Sequence, residues 1–416
     1  MAGARDFLLE LFAAGLAAVN GRKRMRAALA GRDDLNDAWL LAAGKAASAM
    51  TLGALDALGP RVSRALVVSR SGHFDEELGQ HPQVSCMTGG HPVPDAGSLA
   101  AGAAALAMAG EAGRGRPVLL LVSGGASSLM EVLPASVSLS DLQKVSAWAL
   151  ASGLPIERVN HVRRRLSRVK DGRLLAAFSH CRIEGYFISD VPGDDPALVA
   201  SGLLAAATGS VSDADLPGWV CQLIAGATAS GPAVPRIAPV CVGCLGDAFA
   251  AISRAAHEAG VHCRVDAARL EGDAVAAAGW LARELRQGSA ELLVCGGETT
   301  VRLPPSPGRG GRNQHLALAA AQRMAGRDDL TLLVAGTDGS DGNTDDTGAI
   351  VDGGTVERGR DAGLDPDVCL AGADSGRFLE ASGDLVHTGP TGTNVGDLLL
   401  ALRRDPGHGL QPRLSM

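Results

Sequence analysis

The stretch "PVLLLVSGGASSLM", residues 117–130, decides how the rest of the chain is read. Six residues of unbroken apolar character end at a serine and two glycines, and small helix-forming residues follow. A short apolar run with no alternation suits a strand buried on both faces, as in a parallel sheet. A strand that breaks into Ser123, Gly124 and Gly125 before a helix leaves backbone N–H groups and hydroxyls at its carboxyl end. Such a turn can receive an anionic oxygen, although a plain connecting turn has the same look.

Working outward, the same grammar recurs. "AWLLAAGKAASAM" (38–50) and "RALVVSRSG" (64–72) precede it; "EGYFISDVPGDD" (184–195), "AELLVCGGETT" (290–300) and "LTLLVAGTDGSDG" (330–342) follow. Strands alternating with helices argue for an α/β protein built on parallel sheet, whose ligands collect at the carboxyl ends of the strands. With 416 residues the chain is too long for one ordinary core, so two domains are expected. The Gly-, Pro- and Ala-rich segment 204–240 reads as their connection, which sets the boundary at 1–235 and 236–416. The closing "RRDPGHGLQPRLSM" reads as a loose tail.

Composition excludes several classes. Net charge is −7, aromatic residues are 3% and no basic block occurs, which argues against a nucleic-acid partner. No apolar run approaches the roughly 20 residues that cross a bilayer, and the N-terminal segment reads as an amphipathic helix, so a cytoplasmic chain without a membrane partner is expected. Of eight cysteines only Cys241 and Cys244 form a C-x-x-C, with no second pair to complete a zinc site; mostly buried, reduced thiols are expected.

Several positions resist a purely structural explanation. Lys45 sits at a strand-to-helix junction where the helix dipole disfavours a cation, so a bound phosphate or carboxylate would give it a reason to be there. Arg312 in "GRGGRNQ" has the same difficulty, and its fork matches two oxygens; Asn313 lies beside it. Asp190 is the first polar group beyond "YFIS", with Asp195 a candidate helix cap. Glu298 follows two glycines at a strand end, and Ser127 joins Ser123 at the 123–128 turn. In "GTDGSDGNTDDTGA" (336–349), an EF-hand would need a glycine where Asp346 stands and a glutamate where Asp352 stands. Asp338, Asp341 and Asp345 instead suggest Mg²⁺ shared with a phosphate. "HTGPTGTNVGDLLLAL" (387–402) reads as a Gly/Thr loop before a final helix, capped by Thr393 or Asn394.

Taken in order, "SGGASSLM", "RVNHVRRRLSRVKDGRLLA", "SDVPGDDPALVASG", "GGETTV", "GGRNQ", "GTDGSDGNTDDTGA" and "HTGPTGTNVGDL" resemble the class II glycerate kinases over about residues 5–402. The resemblance implies a Rossmann-like N-terminal domain, an α/β MOFRL C-terminal domain, and a site in the cleft between them. It implies transfer of phosphate from ATP to the 2-hydroxyl of glycerate, giving 2-phosphoglycerate and ADP. Lys45 matches the family's active-site lysine, Arg312 its arginine, and Asp190 and Asp341 its acidic groups. Ser123, Gly124, Gly125, Ser127, Glu298 and Asn313 are then expected to bind substrate or nucleotide. ATP, Mg²⁺ and glycerate are the expected small molecules, and a homodimer stays among the assemblies open to such a chain.

The chain departs from the family pattern at "SGLLAAA" from Ser201, at His315 after "GGRNQ", and at "DSGRFL" (374–379), which lacks a tyrosine after its serine. Two rival functions stand beside the kinase. Some relatives carry the label hydroxypyruvate reductase, but no G-x-G in this chain completes a dinucleotide fingerprint. A non-catalytic protein that binds sugar acids or nucleotides is the other.

Overall fold

The structure is a computed structural model that describes residues 3–404 except 153, 155, 210, 228–233, 267–269 and 288–289. It holds two six-stranded sheets. In the first, β1 (Ala38–Ala43), β2 (Val62–Ser69), β3 (Val84–Thr88), β4 (Pro117–Val122), β5 (Arg182–Ile188) and β6 (Val240–Gly243) are all parallel. Their spatial order is β3-β2-β1-β4-β5-β6, that of a doubly wound Rossmann sheet. The expected α/β fold with a Rossmann-like first domain is what forms. The apolar runs make central strands because both faces are covered: β1 and β4 are buried almost throughout, and Leu120, Val122, Leu129 and Phe187 belong to one core. The order reverses between β1 and β4, the point at which a doubly wound sheet opens its ligand crevice.

The second sheet corrects the expectation of parallel strands in this half. Its strands are β7 (Cys263–Val265), β8 (Leu292–Gly297), β9 (Leu330–Gly336), β10 (Gly348–Asp352), β11 (Leu385–Val386) and β12 (Asp397–Arg403), in the order β11-β10-β9-β12-β8-β7. Among the strands of the described residues, β7 and β8 alone pair in parallel. β12 lies antiparallel between β8 and β9, and β10 is antiparallel to β9 and to β11. The stretch read as a final helix is therefore the central strand β12. "DLLLAL" is apolar at every position, so it lacks the period that separates a buried helix from a buried strand. Because β12 runs backwards, its first residue meets the last residues of its neighbours: Asp397 pairs with Gly297 and with Gly336.

The two compact units do not divide the chain at 235/236. One holds Asn20–Cys244 with Gly392–Val395; the other holds Met1–Val19, Leu245–Thr391 and Gly396–Met416. Residues 240–243 stay with the first sheet because β6 pairs with β5. The N-terminal helix Ala4–Ala18 belongs with the second: Gly15 allows Ile252 to approach, and Arg5 pairs with Asp352 and Asp384, each at 2.8 Å. Segment 204–240 is more than a connection, since its helix Gly218–Gly226 supplies Val220 and Ile224 to a small core with Val145, Val162 and Leu166. Of the closing segment, Arg403 ends β12, and residues 405–416 lie outside the described residues. Among the described residues no helix is long and apolar enough to cross a membrane. All eight cysteines are thiols outside any disulfide; Cys295 and Cys369 are buried, five are partly exposed and Cys86 is exposed, so the expected burial holds for two of them.

Candidate functional site

In the parallel-sheet unit, the turns after β1 and β4 are laced together at the point of strand-order reversal. The N–H of Lys45 donates to Gly124 O at 2.9 Å, that of Ala46 to Ser123 Oγ at 3.0 Å, and that of Ser123 to Ala43 O at 3.0 Å. Gly44 has φ 127°, and a Cβ there would lie 2.2 Å from Ser123 Oγ, so the crossing requires glycine. The result holds Lys45 just ahead of the helix Ala47–Leu58, whose Ala46 cap offers no side-chain acceptor. Gly125 (φ 86°) comes so close to Lys45 that a Cβ would lie 3.3 Å from the lysine Cγ and 3.3 Å from the ring of His91. His91 Nδ1 in turn meets Ser128 Oγ at 2.8 Å.

Asp190 arrives from the end of β5 and packs on the bare face of Gly124. A Cβ on Gly124 would sit 2.0 Å from Asp190 Oδ2 and 2.0 Å from Asn394 Nδ2. Asn394 donates to Asp190 Oδ2 at 3.3 Å, so this residue, expected at a helix cap, instead braces the carboxylate. Asp195 accepts from the Ala197 N–H at 2.9 Å and caps a turn rather than a helix. Of the expected positions, Lys45, Ser123, Gly124, Gly125, Ser127 and Asp190 are thus brought together at one sheet end.

The other unit builds a second group where β8, β9 and β12 meet. Arg312 is the first residue of the helix Arg312–Met324. Its Nε and Nη2 donate to Asp397 at 2.5 and 3.1 Å, and Nη2 also lies 3.0 Å from Glu298. The fork expected to hold a substrate is therefore closed on Asp397; among the described residues Nη1 donates to no protein group. Burial works against the charge on Arg312, but Asp397 and Glu298 outweigh it and hold the guanidinium pKa well above its usual value. Asp397 is not among the expected site residues, because its stretch reads as helix in sequence and forms strand β12 in the structure. A lone carboxylate opening an apolar run is the only local signal it gives.

The three loop aspartates separate. Asp341 is buried and accepts from the N–H groups of Asn313 (3.1 Å) and Gln314 (2.8 Å), capping the helix of Arg312 from outside its own segment. Burial pushes its carboxyl up to about 7, against the pull of those N–H groups. Asp338 accepts from Ser340, and its Oδ1 lies 3.1 Å from the point beside Gly336 that Asp397 Oδ1 approaches to 3.5 Å. Asp345 is exposed, and its neighbour Asp346 pairs with Arg309 at 2.9 Å. Asn313 is buried at the helix start, its N–H spent on Asp341.

Two departures from the family pattern meet here. His315 Nδ1 lies 3.1 Å from Ser375 Oγ, and Gly376 faces Gln314 so closely that a Cβ would lie 2.5 Å from its amide oxygen. A larger residue at 376 would have to displace the Gln314 amide and the Arg309 carbonyl, 2.9 Å from the same point. Burial holds the His315 pKa below its usual value.

Residues 7–216 match the family model described as a domain of unknown function, DUF4147, and residues 291–397 match the MOFRL family. The D-glycerate 2-kinase of Thermotoga maritima is 35% identical over 87% of this chain and 90% of its own length. The chain belongs to the class II glycerate kinase family. The glycerate 2-kinase of Pyrococcus horikoshii is 32% identical over 88% of this chain and 87% of its own. A protein of Agrobacterium vitis named putative hydroxypyruvate reductase is 35% identical over 86% and 85%. In three dimensions the chain resembles the crystal structure of the Thermotoga maritima glycerate kinase, with a TM-score of 0.80, 32% identity, and coverage of 96% of this chain and 99% of that one.

Proposed function

We propose that this chain is an ATP-dependent glycerate 2-kinase, transferring the γ-phosphoryl group of ATP to the 2-hydroxyl of glycerate. The observation that carries the reading is the cation placed at each of two otherwise anion-friendly helix starts: Lys45 beside Gly124 and Gly125, and Arg312 above the Asp341 cap. Phosphoryl transfer asks the protein mainly for position and for charge opposite the oxygens of the moving group. Lys45 serves as a compact charge that follows the phosphoryl group, and Arg312 presents Nη1 while Asp397 fixes its other edge. Asp190, held by Asn394, takes the proton of the attacking hydroxyl, and the Ser123–Ser127 turn offers its N–H groups and hydroxyls to anionic oxygens.

Among the described residues no three His, Cys, Asp or Glu side chains gather around one metal position, so Mg²⁺ would be held by few protein carboxylates. Magnesium is commonly held by one or two carboxylates together with substrate phosphates. Asp338 and Glu298 would hold it; Asp341 has both oxygens committed to backbone N–H groups. When bound, the ion supplies charge neutralisation to the phosphate chain. Lys45→Ala and Arg312→Ala are each expected to lower kcat/KM by several kcal/mol, with far from additive effects in the double variant.

The reductase label finds no support in the residues. The turn after β1, where a dinucleotide would lie, reads Gly44-Lys45-Ala46 and not G-x-G-x-x-G, and β2 ends in Ser69-Arg70 without the acidic residue that contacts a ribose. Thermal unfolding with ATP and with NADH tests the choice. A ligand at 100 times its dissociation constant adds about 2.7 kcal/mol of stability. Stabilisation by ATP alone is expected; stabilisation by NADH alone would overturn the kinase reading.

A further inference from the structure

The motif "RVNHVRRRLSRVKDGRLLA" contributes nothing to the groups described so far, yet it contains a buried guanidinium without a counter-ion. Arg164 is 7% exposed, and its Nη1 has no hydrogen-bond partner. It forms no ion pair among the described residues. The carboxylates that bear on it electrostatically are Asp171 and Asp195. Asp171 accepts from the Ala207 N–H at 3.0 Å and faces Arg173 at 3.5 Å, while Asp195 accepts from the Ala197 N–H. Glu131, fully buried, is spent on Lys170 and on Ser167 Oγ. A buried cation left in this condition is costly unless an anion completes it.

The surroundings of Arg164 lead back to the Gly124–Gly125 turn. Asn160 precedes it by four positions on the helix Ile156–Arg165, which puts both side chains on one face. Asn160 Oδ1 accepts from Ser201 Oγ at 2.7 Å, and Ser201 Oγ lies 2.7 Å from Ser127 Oγ. Ser127 stands two residues beyond Gly125. Ala200 (φ 50°) and Ser201 (φ 57°) both adopt left-handed backbone without being glycine. Strain of this kind persists where surrounding structure fixes it, and it aims the Ser201 hydroxyl at the other two.

We propose that Arg164, with Asn160, Ser201 and Ser127, forms the subsite that receives the carboxylate of a small hydroxy acid. The proposal rests on the glycerate kinase reading and adds to it the residues that bind the acceptor. One guanidinium N–H edge with two hydroxyls matches a carboxylate that carries a neighbouring hydroxyl group: the edge pairs with the charge, and the serines exchange hydrogen bonds with the polyol.

Steady-state kinetics of the full chain and of Arg164→Gln, Arg164→Lys and Ser201→Ala, with D-glycerate and ATP varied separately, test it alongside the thermal shift caused by D-glycerate alone. Arg164→Gln is expected to raise the glycerate KM by about tenfold or more with the ATP KM within about twofold, to lose the glycerate thermal shift, and to be partly rescued by lysine. If the glutamine variant does not fold, the lysine variant and Ser201→Ala carry the same comparison. An unchanged glycerate KM and thermal shift in an active enzyme would overturn the subsite and leave the kinase reading standing, as would an equal rise in both KM values. A wild-type chain that neither turns over nor is stabilised by glycerate would overturn both.

Discussion

Replacing Asp397 by asparagine isolates the group that the geometry makes responsible for Arg312. The side chain is 8% exposed and takes two charge-assisted bonds from the guanidinium, at 2.5 and 3.1 Å. Asparagine keeps the size but has one acceptor oxygen, and its amide nitrogen opposes the second donor. A hydrogen bond to a charged group contributes about 1.5–3 kcal/mol, so the change removes one such bond and weakens the other. Glu298, 3.0 Å from Nη2, still balances part of the charge but is itself exposed. A net loss of about 2–3 kcal/mol in the placement of Arg312 follows, or roughly 30- to 150-fold in kcat/KM at 1.4 kcal/mol per decade. A coupled assay of ADP release, with denaturant unfolding in parallel, reads both consequences. Because Asp397 acts through Arg312, Asp397→Asn should add little in an Arg312→Ala background. Full additivity, or turnover within about twofold of wild type, would refute the assignment.

Three further outcomes follow from the same contacts. Gly124→Ala puts a Cβ 2.0 Å from Asp190 Oδ2 and Asn394 Nδ2; the activity assay should show a loss of at least about a hundredfold, and unfolding a cost of about 1–3 kcal/mol. Burial raises the pKa of Asp341 to about 7 in the folded chain, from the 3.8 of an ordinary aspartate. The stability it contributes is complete below pH 3.8 and is lost as pH rises through 7, a decline on the order of 4 kcal/mol; Asp341→Asn should flatten that part of the stability–pH curve, and an unchanged slope would reject the buried carboxylate as its source. Asp338→Asn should raise the Mg²⁺ concentration needed for half-maximal rate, whereas Asp345→Asn, on an exposed loop position, should leave it near wild type.

The parallel half of the fold was legible because its central strands carry continuous apolar runs, "WLLAA" in β1, "VLLLV" in β4 and "YFI" in β5, that end in small or polar residues, and those ends are where Lys45, Ser123 and Asp190 stand. The second half was not. "DLLLAL" carries no period, and nothing local says that a strand 60 residues beyond β9 returns to separate β9 from β8. That insertion puts Asp397 within reach of Arg312, 85 residues away in sequence. The capping role of Asp341 was hidden for the same reason: an aspartate in a glycine-rich loop gives no local sign of the helix 27 residues earlier that it caps. Asn160 and Arg164 lie inside a run rich in arginine, where nothing local marks either of them as buried. Their burial depends on the 198–201 turn, whose left-handed residues are alanine and serine and give no glycine signal.

Phosphorylation of the 2-hydroxyl of glycerate is read out by incubating the chain with MgATP and D-glycerate or L-glycerate and identifying the products by ³¹P NMR. ADP and 2-phosphoglycerate are expected in equal amounts, with both lost in Lys45→Ala. Formation of 3-phosphoglycerate would contradict the assigned hydroxyl, and the absence of ADP with both enantiomers would contradict the kinase.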